Sequence, residues 1–230
     1  MKVKDVDIIM VPGFTGSGPL HWQTRWQEKL SSARRVEQRD WDDPEREPWA
    51  WALADLVNSC DKPVILIAHS LGVPTVINAL PLMNAQPVGA FLVAPPDLGN
   101  AEMLTPQMLG FGPYPRERLP FPSIMVGSRN DPYCDVQTAE DLATTWGALY
   151  LDAGEAELKL YQVQGITGGT DAQAEVSVRL ADEDGKLVTG RAADPDTMVA
   201  SAKAYIGALN KLQRPGVAAG ERVHAHHGAA

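Results

Sequence analysis

The stretch Val64-Ile65-Leu66-Ile67-Ala68-His69-Ser70-Leu71-Gly72 constrains this chain more than any other. A short apolar run, rich in β-branched residues, ends in His-Ser-x-Gly. An apolar helical pattern from Val73 to Leu82 follows at once. An apolar run of this length, closed by a turn, reads as a buried strand. Strand, sharp turn and helix form the setting of a nucleophile elbow, in which a serine hydroxyl is lifted clear of the sheet on a strained turn. Small residues must flank that serine because strand and helix crowd together. Here they are Ala68 and Gly72, so alanine stands at the first glycine of G-x-S-x-G. The same letters also fit a buried strand, a serine and an ordinary helix, so the rest of the chain has to decide between them.

Upstream, Val6 to Val11 reads as a short apolar strand ending in Pro12-Gly13-Phe14-Thr15-Gly16-Ser17-Gly18-Pro19. No lysine follows these glycines, so this is not a phosphate loop. It is either a plain connecting turn or a place where backbone N–H groups face a ligand. In a serine hydrolase such a loop gives one oxyanion donor, here Phe14. The residue after the nucleophile, Leu71, gives the other. Trp22, Trp26 and Leu30, four apart, predict an amphipathic helix. Arg35 to Arg39 is a candidate second strand, Asp40 to Pro44 a loop, and Pro48 to Asn58 a helix carrying Trp49, Leu53 and Leu56 on one side.

Beyond the elbow, Gly89–Ala94 and 122–128 read as strands, Asp135–Trp146 as a helix and Ala148–Asp152 as a further strand. The segment from Asp97 to Pro120 is rich in Pro, Gly and Met and reads as a loop or small lid, where substrate-selecting segments usually sit. Strands alternating with helices predict a doubly wound, mostly parallel sheet. Sites in such sheets lie beyond the carboxyl ends of the strands. Ser70 follows one strand end and Asp131 another, in the chain order of α/β-hydrolases. Asp131 also fits a turn former before Pro132. The shared location at strand ends favours the role of triad acid.

Bulk composition removes several classes. A net charge of −9 gives no basic surface for nucleic acid. No apolar run approaches a membrane span. Acids stand directly behind the first lysines, so no signal peptide is expected. Cys60 and Cys134 lack metal-ligand spacing. A disulfide between them is one reading, and a reduced cytoplasmic setting is the simpler one. Neither a metal nor a cofactor is expected.

Several of these pieces together resemble the small serine hydrolases related to retinoblastoma-binding protein 9. They are V-P-G-F-T-G-S-G-P-L-H-W-Q, R-D-W-D-D-P, A-H-S-L-G and S-R-N-D-P-Y-C, spread over about residues 5 to 156. The resemblance implies an α/β-hydrolase fold, Ser70 as nucleophile and Asp131 as acid. The family's triad histidine stands shortly after the last strand, following a Gly-Glu-Ala-like segment. This chain has Gly154-Glu155-Ala156 and then Glu157-Leu158-Lys159-Leu160, with no histidine where the family places it, near Leu158. A serine hydroxyl without a base stays protonated and weakly nucleophilic. Other histidines are poor substitutes. His69 is expected to point into the sheet packing as a hydrogen-bonded core residue. His21 opens the first helix near the oxyanion loop. His224, His226 and His227 lie in a Gly/Ala-rich tail, 213–230, expected to be disordered.

From Leu158 the texture changes. Leu158–Val163 and Ala174–Leu180 read as strands, the second strictly alternating. Asp184-Gly185 marks a hairpin, Leu187–Arg191 a return strand, and Asp194-Pro195-Asp196 the start of a helix with Met198, Ala202, Tyr205, Leu209 and Leu212 on one face. The order is βββα. The words Q-V-Q-G-I-T-G-G-T-D-A-Q-A-E-V-S-V-R-L and D-T-M-V-A-S-A-K-A-Y-I-G-A-L-N-K-L resemble the second half of the leucine-regulatory domain that ends 2-isopropylmalate synthase, over about 157–212. Synthase chemistry is not expected, since its catalytic barrel lies outside the resemblance. The resemblance implies leucine as a possible effector near Gly169, Thr170, Asp171 and Ala172. A lone unit of this size buries only about 60% of its unfolded surface, so its apolar faces need a partner: the hydrolase portion, which is the awkward choice, or a second copy across a homodimer. The expected organisation is therefore a hydrolase domain over 1–156 that lacks its family's last helix, then a βββα unit over 157–212. An ester or amide is its expected substrate.

Overall fold

The computed structural model describes residues 5–154, 157–165, 174–182, 184–194 and 197–212. Two separate sheets divide them. The first has six strands in the order β2-β1-β3-β4-β5-β6, all pairings parallel. Its strands are β1 (Asp7–Val11), β2 (Ala33–Arg35), β3 (Val64–His69), β4 (Gly89–Val93), β5 (Ser123–Gly127) and β6 (Leu149–Asp152). Five α-helices accompany it: α1 (Trp22–Gln27), α2 (Arg46–Asn58), α3 (Gly72–Ala79), α4 (Pro106–Leu109) and α5 (Val136–Trp146).

Period-two alternation sends the two sides of each strand to different cores. From β1 and β3, Ile9, Val11, Leu66 and Ala68 pack with Leu53, Val76 and Trp146 of α2, α3 and α5. Ile8, Met10 and Ile67 face the other way, under Trp22 and Trp26 of α1. Leu30 lies beyond the end of α1 but is buried in that same cluster. The second strand is Ala33–Arg35 rather than 35–39. Its register follows β1, Ile8↔Ala33 to Met10↔Arg35, and the Val36 N–H to Met10 O is its last rung. Beyond it, β1 ends at Val11 before Pro12, and no strand remains to pair with.

The chain runs from β1 out to β2 and then returns to the other side of β1 to form β3. The direction of winding reverses at this pair. A ligand crevice in an open parallel sheet opens at such a reversal, outside the carboxyl ends of the strands. The glycine-rich loop leaves β1 and Ser70 leaves β3 at that point. The segment 97–120 folds back as α4 and neighbouring turns. Its Leu104, Met108 and Phe111 are buried against Leu71 and Trp49, with Phe14, Trp41, Leu98 and Leu109 partly covered around them.

The second sheet is antiparallel, β7-β8-β9: β7 (Glu157–Gly165), β8 (Ala174–Ala181) and β9 (Leu187–Asp194). It is covered by α6 (Thr197–Leu212). Val176, Val178 and Leu180 pack on Ala200, Ala204, Ala208 and Leu209, with Tyr205 and Leu212 partly buried beside them. The buried stripe of α6 is thus centred on alanines. Gly190 explains this, because a Cβ there would stand 1.9 Å from Ala204 O. The helix lies directly on the strand backbone and tolerates only small residues at the contact. Residues 169–172 and 213–230 lie outside the described residues, so the effector loop and the tail histidines do too.

Candidate active site

Ser70 occupies the turn between β3 and α3 with φ 52°. A left-handed conformation at a non-glycine residue costs energy and persists only where the surroundings over-determine it. Three contacts do so here. The Ser70 N–H donates to Val93 O at the end of β4 (2.9 Å), and Ser70 O accepts from Val73 N (2.8 Å). Gly72 presses on β1, where a Cβ would fall 2.2 Å from Val11 O. The flanking glycine read from the sequence is therefore a steric requirement. Among the described residues the Ser70 side chain makes no hydrogen bond, and it is only partly covered.

The glycine-rich loop touches the elbow directly. A Cβ on Gly13 would stand 2.8 Å from the Ser70 Cβ and 2.9 Å from Leu71 N, so this glycine permits the approach. Thr15 and Gly16 both have positive φ, 64° and 71°. Thr15 N donates to Trp41 O (2.9 Å), and Gly16 N closes a turn on Gly13 O (3.0 Å). The neighbouring amides of Phe14 and Leu71 donate to no backbone or side-chain acceptor among the described residues. Two such N–H groups beside a strained serine are what an oxyanion site is made of.

Asp131 lies in the loop after β5. Its Oδ1 accepts from Tyr133 N at 2.9 Å. Burial raises its carboxyl above the ordinary carboxylate range, and the Tyr133 amide offsets this in part. Ser70 follows β3 and Asp131 lies in the loop after β5, both at the carboxyl end of the sheet, and with β4 between them those two strands stand two strand spacings or about 10 Å apart. Cys134 is buried, and burial with the nearby Asp97, Asp131 and Asp135 pushes its thiol up to about 12, so it is no nucleophile. Both cysteines are free.

Neither histidine of the described residues bonds Ser70. His69 shares the strand face of Ile65 and Ile67. Its ring lies 4.7 Å from that of His21 and 6.0 Å from that of Trp22. The sequence suggested a hydrogen-bonded core histidine. It is instead held by ring contacts, with no hydrogen bond among the described residues. Burial, and then His21, lower its pKa to about 4. His21 caps α1 by accepting from Gln23 N (3.2 Å), and burial and Arg35 lower its pKa as well. Both imidazoles lie on the α1 side, where burial favours the neutral form of each. The position near Leu158 that the resemblance gives to the base is the start of β7, where Leu158 pairs with Leu180. No three metal-ligating side chains gather among the described residues, and no helix there is long and apolar enough to cross a membrane.

A serine hydrolase family model matches residues 8–157, most of the chain. The chain belongs to the serine hydrolase family. The matched segment stops at Glu157, one residue short of the position of the missing histidine. A model of the LeuA allosteric (dimerisation) domain matches 147–213, so the two overlap on β6 and the turn after it. Among solved structures, a hydrolase described as YdeN-like from Pectobacterium atrosepticum is 26% identical, with a TM-score of 0.58, covering 66% of this chain and 78% of its own. The ydeN gene product of B. subtilis, 23% identical over 64% of this chain and 83% of its own (TM-score 0.51), shares the fold. The 2-isopropylmalate synthases of Bradyrhizobium sp. (strain BTAi1) and Rhodopseudomonas palustris (strain TIE-1) are 74% and 71% identical over 58 residues, 25% of this chain. The chain spans only 11% of the length of those synthases.

Sequence reasoning missed one group at this site. Gln23 is fully buried between β1, β3 and the glycine-rich loop. It stands beside Trp22 on the side of α1 that faces the sheet, but a polar letter in an amphipathic helix gives no local sign of this.

Proposed function

We propose that this hydrolase acts on small carboxylic esters or amides through Ser70, with the Phe14 and Leu71 amides holding the oxyanion and Asp131 as the acid of an incomplete triad. The observation that carries this reading is the strained Ser70 turn placed beside two amides that have no acceptor among the described residues. Ser70 Oγ attacks the carbonyl carbon, and the carbonyl electron pair moves to an oxygen facing the two amides. The alcohol or amine then leaves with a proton, and water releases the acyl group from the serine. With no imidazole bonded to Ser70 among the described residues, the hydroxyl proton passes to water, which makes the attack slow. The apolar cluster of Phe14, Trp41, Leu98 and Leu109 beside Leu71 supports an apolar acyl or alcohol group.

A fluorophosphonate probe tests this reading without requiring turnover. Ser70 Oγ displaces fluoride at phosphorus and loses its proton to water. Labelling of the full chain at Ser70, abolished in Ser70→Ala, is the expected outcome. An unlabelled chain, or equal labelling of Ser70→Ala, ends the reading.

The second segment favours a second role. The LeuA match and the β7–β8–β9–α6 unit support self-association through that unit, with leucine as effector. Light scattering of the full chain with and without leucine checks it. A dimer whose stability rises with leucine is expected, and a monomer insensitive to leucine counts against it.

A further inference from the structure

We infer that Gln23 is a positioning residue that fixes the oxyanion site, a role that rests on the reading of Ser70 above. The Gln23 side chain is completely buried. Its Nε2 donates to Val11 O at 3.2 Å and to Ile67 O at 2.9 Å, and its Oε1 accepts from Ser17 Oγ at 2.7 Å. Every hydrogen-bonding function of the amide head has a use. Burying an amide is costly unless it is satisfied in this way. At a position facing the sheet an apolar residue would bury more cheaply, so the amide is there for what it ties together.

It ties together the two segments that carry the donors. Val11 and Ile67 belong to the last rungs of the β1–β3 pair, Val11↔Ala68 and Met10↔Ile67. Phe14 lies between two anchors of Gln23, Val11 O before it and Ser17 after it. Leu71 stands four residues beyond the third anchor, Ile67 O. One amide therefore sets the spacing of both strand ends and the far side of the loop. Ser17 is fixed in turn: its carbonyl accepts from Thr24 Oγ1 (2.9 Å) and Arg35 Nη1 (2.7 Å), and Arg35 Nε reaches Gln27 Oε1 (2.8 Å). The positive-φ pair Thr15 and Gly16 is clamped by Trp41 O on one side and by this network on the other. Buried polar networks that are fully satisfied rigidify and specify a geometry. A hole built from two amides on different segments needs that, because a misplacement of about 1 Å costs around 100-fold in rate.

The test compares the full chain with Gln23→Leu and with Ser17→Ala, which removes a single bond of the network and leaves the buried amide on both strands. Each is reacted with the fluorophosphonate well below its unfolding midpoint, and with p-nitrophenyl butyrate. The expected result is a fall of about 10- to 100-fold in labelling rate and in kcat for Gln23→Leu, with KM changed less than about twofold, and a smaller fall for Ser17→Ala. A purely structural role would lower the midpoint and leave the labelling rate of the folded protein unchanged, which would overturn the inference. If Gln23→Leu does not fold, unchanged labelling and kcat in Ser17→Ala overturn it alone. If the unsubstituted chain itself is not labelled, the reading of Ser70 fails first, and Gln23 with it.

Discussion

Hydrolysis of p-nitrophenyl acetate that depends on Ser70 is expected to rise steadily with pH from about 5 to 9, with no plateau after a midpoint near 6.5. In a complete triad the base must be neutral to accept the serine proton. The rate then climbs as imidazolium deprotonates and levels off above its pKa. Here His69 is pulled down to about 4 by burial and His21 is also lowered, and neither hydrogen-bonds Ser70. His69, held neutral across this range, contributes no inflection in it, and His21 makes no bond to Ser70 through which its own titration would reach the hydroxyl. What remains pH-dependent is the ionisation of the serine itself and of the water that releases the acyl group, and both grow with hydroxide.

The magnitude follows from the same argument. Loss of the triad histidine costs roughly 10^6-fold in turnover in a protease precedent, and the oxyanion site and binding still leave about 10^3- to 10^4-fold over water. The chain is expected to show that residue of activity, and Ser70→Ala to remove its serine-dependent part. The measurement is the rate difference between the two proteins at each pH. A sigmoid with a midpoint between 6 and 7 that vanishes in Ser70→Ala would mean that an imidazole does reach the serine. His224, His226 and His227, outside the described residues, would then be the groups to replace first.

Much of this site was legible in the sequence because its chemistry is local. The elbow needs small residues close to Ser70, and Ala68 and Gly72 each stand two positions from it. The apolar runs at Val6–Val11 and Val64–Ala68, alternating along the chain with helical patterns, announced a doubly wound, mostly parallel sheet. The second strand was misplaced because its limits are set by where β1 ends, a long-range fact that Arg35 to Arg39 do not encode. Gln23 was passed over for the same reason. Its importance lies in two carbonyls on other strands, and a polar letter inside an amphipathic helix normally marks the wet side. The burial of Ala200, Ala204 and Ala208 was not read because Gly190, on another element, sets how closely the helix lies.

Replacing Gly72 by alanine is expected to destabilise the six-stranded half by about 3–5 kcal/mol, a large share of the roughly 5–15 kcal/mol that holds a domain of this kind together. A Cβ there meets Val11 O at 2.2 Å, Pro12 O at 2.8 Å and Val11 C at 3.0 Å. All three are backbone atoms, so no side chain can rotate away, and α3 has to lift from β1. That helix carries Val73, Val76, Ile77 and Ala79 into the main core, and lifting it opens contacts along its whole length. Gly190→Ala is the matched experiment in the other half, where the new Cβ meets Ala204 O at 1.9 Å and Ala208 N at 2.6 Å, on the hydrogen-bonded backbone of α6. The cluster of Val176, Val178 and Leu180 on α6 shares no residue with the cores of the parallel sheet. Each substitution is therefore expected to strip amide-exchange protection from its own sheet and leave the other protected. Hydrogen exchange read by mass spectrometry over β3 and over β8 separates the outcomes. If Gly190→Ala exposes β3 as fully as β8, the two sheets fold as one cooperative unit, and the division of the chain at the turn after β6 is wrong.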